Sequence, residues 1–198
     1  MANIKEASPG ELLEDMASCW DLLGENRDDG LVVDNTRLIH YLVNNGFFTA
    51  PASIKYHGAY PGGLYEHSRA VFFRLDELTI RNNLKWERPE SPFIVGMFHD
   101  LCKCDQYVKV KNLDLEAKDA FPTYEYNQHM LLQGHGAKSV MILSQFMTLT
   151  EEEMLCIRYH MGAYMREDLQ EFDLAIRKYP NVLWTHHADQ FASKIDGV

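Results

Sequence analysis

The chain has 198 residues, of which 46% are hydrophobic, so it can form one domain with a sizeable core, with or without a short terminal extension. No apolar run approaches the roughly 20 residues that span a bilayer, and the first residues do not resemble a signal peptide, so we expect a cytoplasmic protein with no membrane partner. The formal net charge of −10 disfavours extended nucleic acid as a partner, although a bound metal ion can still create a local site for a small nucleotide.

The N-terminal part of the chain is predicted to be a helical extension. Ser8 and Pro9 provide a cap and a first-turn proline, so we expect a helix over residues 8–27, followed by a polar break. We therefore place an N-terminal helical extension at residues 1–30 and a single larger domain at residues 31–198.

The larger domain is predicted to be a compact all-α bundle. A second helix is expected near residues 35–45, and the glycine and proline residues that follow predict an ordered loop over residues 47–63. Thr150 and Glu153 fit a capping box at the start of a later helix. Apolar spacing predicts the other helices at residues 64–82, 92–103, 135–147, 150–162, 166–178 and 181–196.

Residues 105–134 separate two of these helices and are rich in aromatic side chains. A short hairpin within residues 105–128 can form around Tyr107–Val110 and Tyr124–Tyr126. The aromatic side chains either pack this segment onto the domain or form a lid that stacks on a nucleobase, and the sequence leaves both interpretations open.

Several polar side chains lie on segments that are otherwise apolar enough to be buried. His67 shares a helical face with apolar residues, His99 and Asp100 follow the apolar segment 91–98, and Asp189 lies in another largely apolar helix. A buried carboxylate is costly unless it is paired, hydrogen-bonded or bound to a metal ion. One metal ion would satisfy several of these side chains together, although a single inward histidine is more often a hydrogen-bonded core residue.

Five short motifs occur in the order found in one known superfamily. They are GGLYEHS at residues 62–68, FHDLCK at 98–103, GHGAKS at 134–139, IRYHMG at 157–162 and HHAD at 186–189. On these motifs the chain resembles the HD-domain superfamily of metal-dependent phosphohydrolases, and in particular a bacterial subgroup of it. The resemblance covers about residues 50–196, and it implies an HD-domain helical bundle with a metal site in its core.

The resemblance also implies a ligand set for one or two divalent transition-metal ions. The first ion would be held by His67, His99, Asp100 and Asp189, and Asp100 would bridge to a second ion held by His135 and His160. Imidazole and carboxylate ligands suit Mn²⁺, Fe²⁺, Ni²⁺, Co²⁺ or Zn²⁺, and Mg²⁺ is also compatible. Such ions stabilise an in-line displacement and activate water, so no protein nucleophile is required.

Asp100 and Lys103 are the predicted catalytic residues. Lys103 follows Asp100 by three residues, so it either reaches a phosphate oxygen from the same face or is a solvated lysine at a helix end. His186 is three residues before Asp189, where it can support a ligand or contact substrate. With Lys103, the predicted substrate-binding residues are His57, His186, Tyr124 and Tyr126.

The sequence therefore favours a metal-dependent phosphoric ester hydrolase that acts on a small nucleotide or a related phosphoester. One alternative is a 3′–5′ exoribonuclease-like HD phosphodiesterase, which has similar GGLxEH text but usually carries a separate nucleic-acid-binding module. A second alternative is a non-catalytic domain that binds a nucleotide or a metal ion. The sequence leaves the substrate, the metal and the oligomeric state open, and an oligomer is compatible with it.

Overall fold

A computed structural model of the protein describes residues 7–21, 33–110, 123–164 and 168–198. Within these residues the fold consists of eight α-helices and one two-stranded hairpin, which confirms the predicted all-α class. None of these helices is long and apolar enough to cross a membrane. The helices are α1 (Pro9–Asp21), α2 (Asn35–Asn44), α3 (Gly63–Asn82), α4 (Ser91–Phe98), α5 (Gly136–Leu143), α6 (Glu151–Tyr159), α7 (Leu169–Lys178) and α8 (Asn181–Phe191).

The hairpin lies in the segment between α4 and α5, as the sequence predicts. Strand β1 (Tyr107–Lys109) pairs antiparallel with strand β2 (Tyr124–Tyr126), and Tyr107 lies opposite Tyr126 with their ring centroids 5.4 Å apart. Cross-strand aromatic pairs of this kind stabilise a short ladder.

Two predicted helices reach beyond the described residues. The first was expected to run to residue 27, and residues 22–27 lie outside the described part of the chain. The same holds for residues 166–167 of the predicted seventh helix, which is described from Leu169 as α7.

Three of the predicted helices that are shorter than expected end at or next to candidate ligands, so the difference matters for the histidines. The expected helix over 92–103 ends at Phe98, and a separate 3₁₀ turn follows at Leu101–Cys104, where the Lys103 amide bonds the Asp100 carbonyl. Helix α5 begins one residue after His135, and α6 ends one residue before His160. His99, His135 and His160 therefore lie at helix ends, where backbone groups are left without helical partners.

The core is formed mainly by α3, α4, α6 and α8. Helix α3 packs against both α4 and α8, and α6 packs against α4, α5 and α8. Phe72 and Leu75 of α3 are fully buried against Phe93 and Phe98. Each such side chain contributes about 1.5–3 kcal/mol through burial.

A buried ion pair joins α6 to the start of α4. The Glu153 carboxylate accepts hydrogen bonds from the Arg88 guanidinium, from the Ser91 hydroxyl at 2.8 Å and from the Thr150 amide at 2.9 Å. The Glu153 amide bonds the Thr150 hydroxyl in return, which completes the predicted capping box. Both charged side chains are almost completely buried, so neither can turn to solvent if its partner is lost.

We predict that Glu153→Ala lowers the free energy of unfolding by about 3–5 kcal/mol, because it leaves the Arg88 charge buried and unpaired. Urea denaturation followed by circular dichroism measures the change. Glu151→Ala is the matched control, since Glu151 lies in the same helical turn but its ion pair with Lys178 is exposed, and it should unfold near the wild-type midpoint. Equal midpoints for the two variants would contradict the structural role of the buried pair.

Candidate metal centre

Asp100 lies at the centre of a cluster of histidines that come from four different parts of the fold. Its Oδ2 atom is 3.6 Å from His67 Nε2 and 3.4 Å from His99 Nε2. Its Oδ1 atom is 3.1 Å from His135 Nε2 and 3.5 Å from His160 Nε2. The two carboxylate oxygens therefore face two separate pairs of imidazole nitrogens.

Asp189 completes the cluster from α8. Its Oδ1 atom is 3.1 Å from His67 Nε2, and His67 Nε2 is 3.3 Å from His99 Nε2. The structure thus brings together all six side chains that the sequence assigns to the metal: His67, His99, Asp100, His135, His160 and Asp189. All of them are buried except His135, which is partly exposed.

The other ring nitrogen of three histidines is held by a main-chain oxygen. His99 Nδ1 is 2.8 Å from the Gly96 oxygen and His160 Nδ1 is 2.7 Å from the Ile157 oxygen, in each case one turn back along the helix that the histidine terminates. His67 Nδ1 is 3.0 Å from the Val198 oxygen. A carbonyl can only accept, so these contacts place a proton on Nδ1 and direct Nε2 into the cluster, where it can act as a ligand atom.

The arrangement at Asp100 therefore fits a cation. The Nε2 atoms of His67, His99 and His160 face carboxylate oxygens at 3.1–3.6 Å, and when these three rings are neutral none of these atoms has a proton to share. His135 Nε2 and His160 Nε2 are buried without a hydrogen-bond partner. A divalent ion would satisfy these atoms together, and imidazole and carboxylate are suitable ligands for Mn²⁺, Fe²⁺, Co²⁺, Ni²⁺ or Zn²⁺.

His135 differs from the other three histidines in what holds its ring. Its Nδ1 atom is 3.3 Å from Cys102 Sγ, and Cys102 Sγ is also 4.0 Å from Asp100 Oδ1. Asp100, Cys102 and His135 form a second group whose ligand atoms are close enough to share one ion. Burial raises the pKa of the Cys102 thiol to about 12, so it is protonated at neutral pH in the metal-free protein.

A glycine allows His135 to come close to His160. A Cβ atom on Gly136 would lie 2.4 Å from the main-chain oxygens of Ile157 and Arg158, so only glycine lets the start of α5 cross the end of α6 at this distance. The ring centroids of His135 and His160 are consequently 4.9 Å apart. The GHG and RxHMG motifs are thus two sides of one close helix crossing.

The charges in the cluster strongly affect one another. Burial alone would raise the pKa of Asp100, but the Lys103 ammonium and the His99 ring hold it well below its usual range. Burial would likewise lower the pKa of Lys103, but the Asp100 carboxylate, 2.6 Å from Nζ, raises it above its ordinary value. Burial opposes a low pKa for Asp189 too, and its contact with His67 overcomes this. Both carboxylates and the lysine are therefore charged at neutral pH.

A pocket of about 700 Å³ opens onto this cluster. Asp100, Lys103, His135 and Asp189 lie at its base, and the loop over residues 52–57, the hairpin and the end of α8 form its walls. The hairpin wall is fixed by an ion pair between the buried Lys138 ammonium and Asp105. The volume is in the range of small-molecule sites in proteins.

Three of the five predicted substrate-binding residues line this pocket. Lys103 and His57 do, and Tyr126 lies on the hairpin wall. Burial lowers the pKa of His57 to about 4, so its ring is neutral at physiological pH. Tyr124 and His186 are not on the pocket wall, because Tyr124 lies at the far end of β2 opposite Lys109 and the His186 ring faces the main chain at His160.

Several residues of the pocket were not predicted from the sequence. Gln190, Ser193 and Lys194 line it from the end of α8 and the π-helical turn at Ala192–Asp196. These three residues are spaced i, i+3 and i+4 along the helix, and Ser193 is four residues after Asp189, which could have identified them. Lys55 lies on the loop beside His57, and no periodic pattern marks it.

Comparison of the chain with protein-family models, with curated proteins and with solved structures gave no significant match.

We predict that Asp100→Asn weakens ion binding by more than about 100-fold, beyond the 10–100-fold that loss of an outer partner costs. The reason is that Asp100 alone faces both pairs of histidines. Elemental analysis after equilibration with Mn²⁺ and gel filtration measures the ion content. Asp173→Ala, an exposed carboxylate on α7, is the control and should retain the wild-type ion content. Full ion content in Asp100→Asn would refute the assignment.

Proposed function

We propose that this protein is a metal-dependent phosphohydrolase of the HD-domain type, which cleaves a small phosphoester, most readily a nucleotide. One observation carries the proposal: a single carboxylate, Asp100, faces two pairs of histidine Nε2 atoms, at the base of an open pocket. When bound there, divalent ions supply Lewis acidity and a lowered pKa for water, which suits phosphoester hydrolysis.

The two faces of Asp100 support a centre with two ions. We define the first site as His67, His99, Asp100 Oδ2 and Asp189, and the second site as Asp100 Oδ1, His135 and His160. The first site is buried, whereas His135 of the second site is partly exposed and borders the pocket. Asp189 of the first site also lines the pocket, so a substrate phosphate in the pocket would lie beside both sites.

Lys103 is suited to hold a phosphate oxygen. Its ammonium is fixed by Asp100 and also lines the pocket, so two of its protons remain to be donated to a ligand. Because it is buried, its charge is screened less than that of a surface lysine. It can therefore orient the phosphate and stabilise the negative charge that develops on it.

The walls of the pocket suit the rest of a nucleotide. Tyr56, Tyr107, Tyr126 and Tyr164 line it, and aromatic rings stack on bases regardless of their identity. Lys55 and Lys194 also line it, and neither has a carboxylate within ion-pair distance in the described part of the chain. These lysines add positive charge to the pocket of a protein whose net charge is −10, which favours a small anionic substrate.

The decisive experiment is an assay of the Mn²⁺-loaded protein against nucleoside monophosphates, nucleoside diphosphates, linear and cyclic dinucleotides, glycerol phosphate and a short single-stranded RNA. We expect release of phosphate or nucleotide from a nucleotide substrate, with glycerol phosphate a poorer substrate because it cannot stack. Asp100→Asn is the inactive control. Preference for RNA over every nucleotide would favour the exoribonuclease-like alternative, and ion binding without cleavage of any substrate would favour a non-catalytic domain.

We predict that Lys103→Met retains ions but lowers kcat by about 100–1,000-fold, the usual cost of losing one preorganised donor to a developing charge. Steady-state kinetics with the best substrate of the panel, together with elemental analysis, measures both properties. Lys109→Met is the control, because Lys109 is exposed on β1 and does not line the pocket, so its kcat should be unchanged. An unchanged kcat in Lys103→Met would show that Lys103 pairs with Asp100 but does not stabilise charge on the substrate.

A further inference from the structure

His186 points away from the substrate pocket and towards the turn that carries His160. Its Nδ1 atom is 2.7 Å from the main-chain oxygen of His160. The carbonyl can only accept, so the His186 ring donates this bond from Nδ1. The His160 carbonyl is at the end of α6, where a carbonyl has no partner in the next helical turn, so the ring supplies a partner for it.

The turn after His160 is shaped to receive the His186 ring. Gly162 has φ +54°, in the left-handed region, and a Cβ atom there would lie 2.7 Å from Nδ1 and Cε1 of His186. Phe172 of α7 packs edge-on against the same ring, with the centroids 5.9 Å apart. The His186 ring, which extends from α8, is therefore held in one place between α7 and the turn at residues 160–162.

The histidine held in this way is one of the proposed ligands. His160 is almost fully buried, and its unpartnered Nε2 atom is 3.5 Å from Asp100 Oδ1. Its ring is held by the Ile157 oxygen at one nitrogen, and its backbone is held by His186. Both contacts fix the direction of Nε2, in the way that outer partners orient metal-ligating histidines.

His186 also joins the two halves of the cluster. It lies one helical turn before Asp189 on α8, and Asp189 contacts His67 of the first site. Helix α8 thus carries Asp189, a ligand of the first site, and through His186 it also holds the turn that carries His160 of the second site.

We infer that His186 is a positioning residue for the second metal site, which it maintains through the hydrogen bond from its Nδ1 to the His160 carbonyl. This inference depends on the proposed metal centre but not on the identity of a substrate. It replaces the substrate contact that the sequence suggested for His186. It also explains why a glycine is needed two residues after His160.

The test is a calorimetric titration of metal-free protein with Mn²⁺, with the melting temperature recorded for each variant. We expect two ions in the wild-type protein and a loss of affinity of about 10–100-fold for one of them in His186→Ala, with the other unchanged. His186→Asn places an amide nitrogen near the position of Nδ1 and should restore most of that affinity. His187→Ala, the exposed neighbour on α8, is the matched control and should bind as the wild type does.

Wild-type affinity at both sites in His186→Ala would overturn the inference, and so would a His186→Asn variant that binds as weakly as His186→Ala. If His186→Ala does not fold, a long-range ¹H–¹⁵N spectrum of the wild-type protein decides the question. His186 must be the Nδ1–H tautomer, and the Nε2–H tautomer overturns the inference. The proposed function can fail independently of this inference. If the protein binds ions but cleaves no substrate, the ion affinities of the His186 variants still test the inference. If the wild-type protein binds no ion, the metal centre itself is refuted.

Discussion

The fold is organised around one carboxylate. Asp100 is buried between two pairs of histidines, and each of its oxygens faces one pair. Because burying a charge costs several kcal/mol unless it is compensated, the surrounding helices must bring partners to it from several directions. Lys103 provides one positive charge, and the free Nε2 atoms around it provide the setting for a cation. The helices α3, α5, α6 and α8 each bring at least one side chain to this point.

The histidines reach Asp100 because three of them lie at helix ends. A helix ends with carbonyls that have no backbone donor, and His99 and His160 place their own rings on such carbonyls one turn back. Each ring thereby completes its helix and turns its second nitrogen to the cluster. The same contact that ends the helix also fixes the proton on the ring, so helix termination and ligand orientation have a common origin.

Much of this could be predicted from the sequence. Apolar spacing predicted the helices, the sequence allowed a short hairpin within residues 105–128, and the motifs identified Asp100 together with the five side chains that converge on it. Helix ends were less predictable, because the expected helix over 92–103 satisfies the same apolar pattern whether or not it breaks at His99. The partners of the ligands were the least predictable. The contacts of Cys102 with His135 and of His186 with His160 join residues that are 33 and 26 positions apart, and neither follows a local periodicity.

The N-terminal helix has a closer relation to the centre than its position in the chain suggests. The Asp15 carboxylate accepts hydrogen bonds from the Tyr65 hydroxyl at 2.7 Å and from Arg69 Nε at 2.6 Å, and these two residues flank His67 on α3. Tyr65 is fully buried, so without α1 its hydroxyl would be left with no acceptor inside the protein. Helix α1 therefore supports the part of α3 that carries His67. A shortened protein that starts at residue 31 would keep every proposed ligand and still lack the support of one of them.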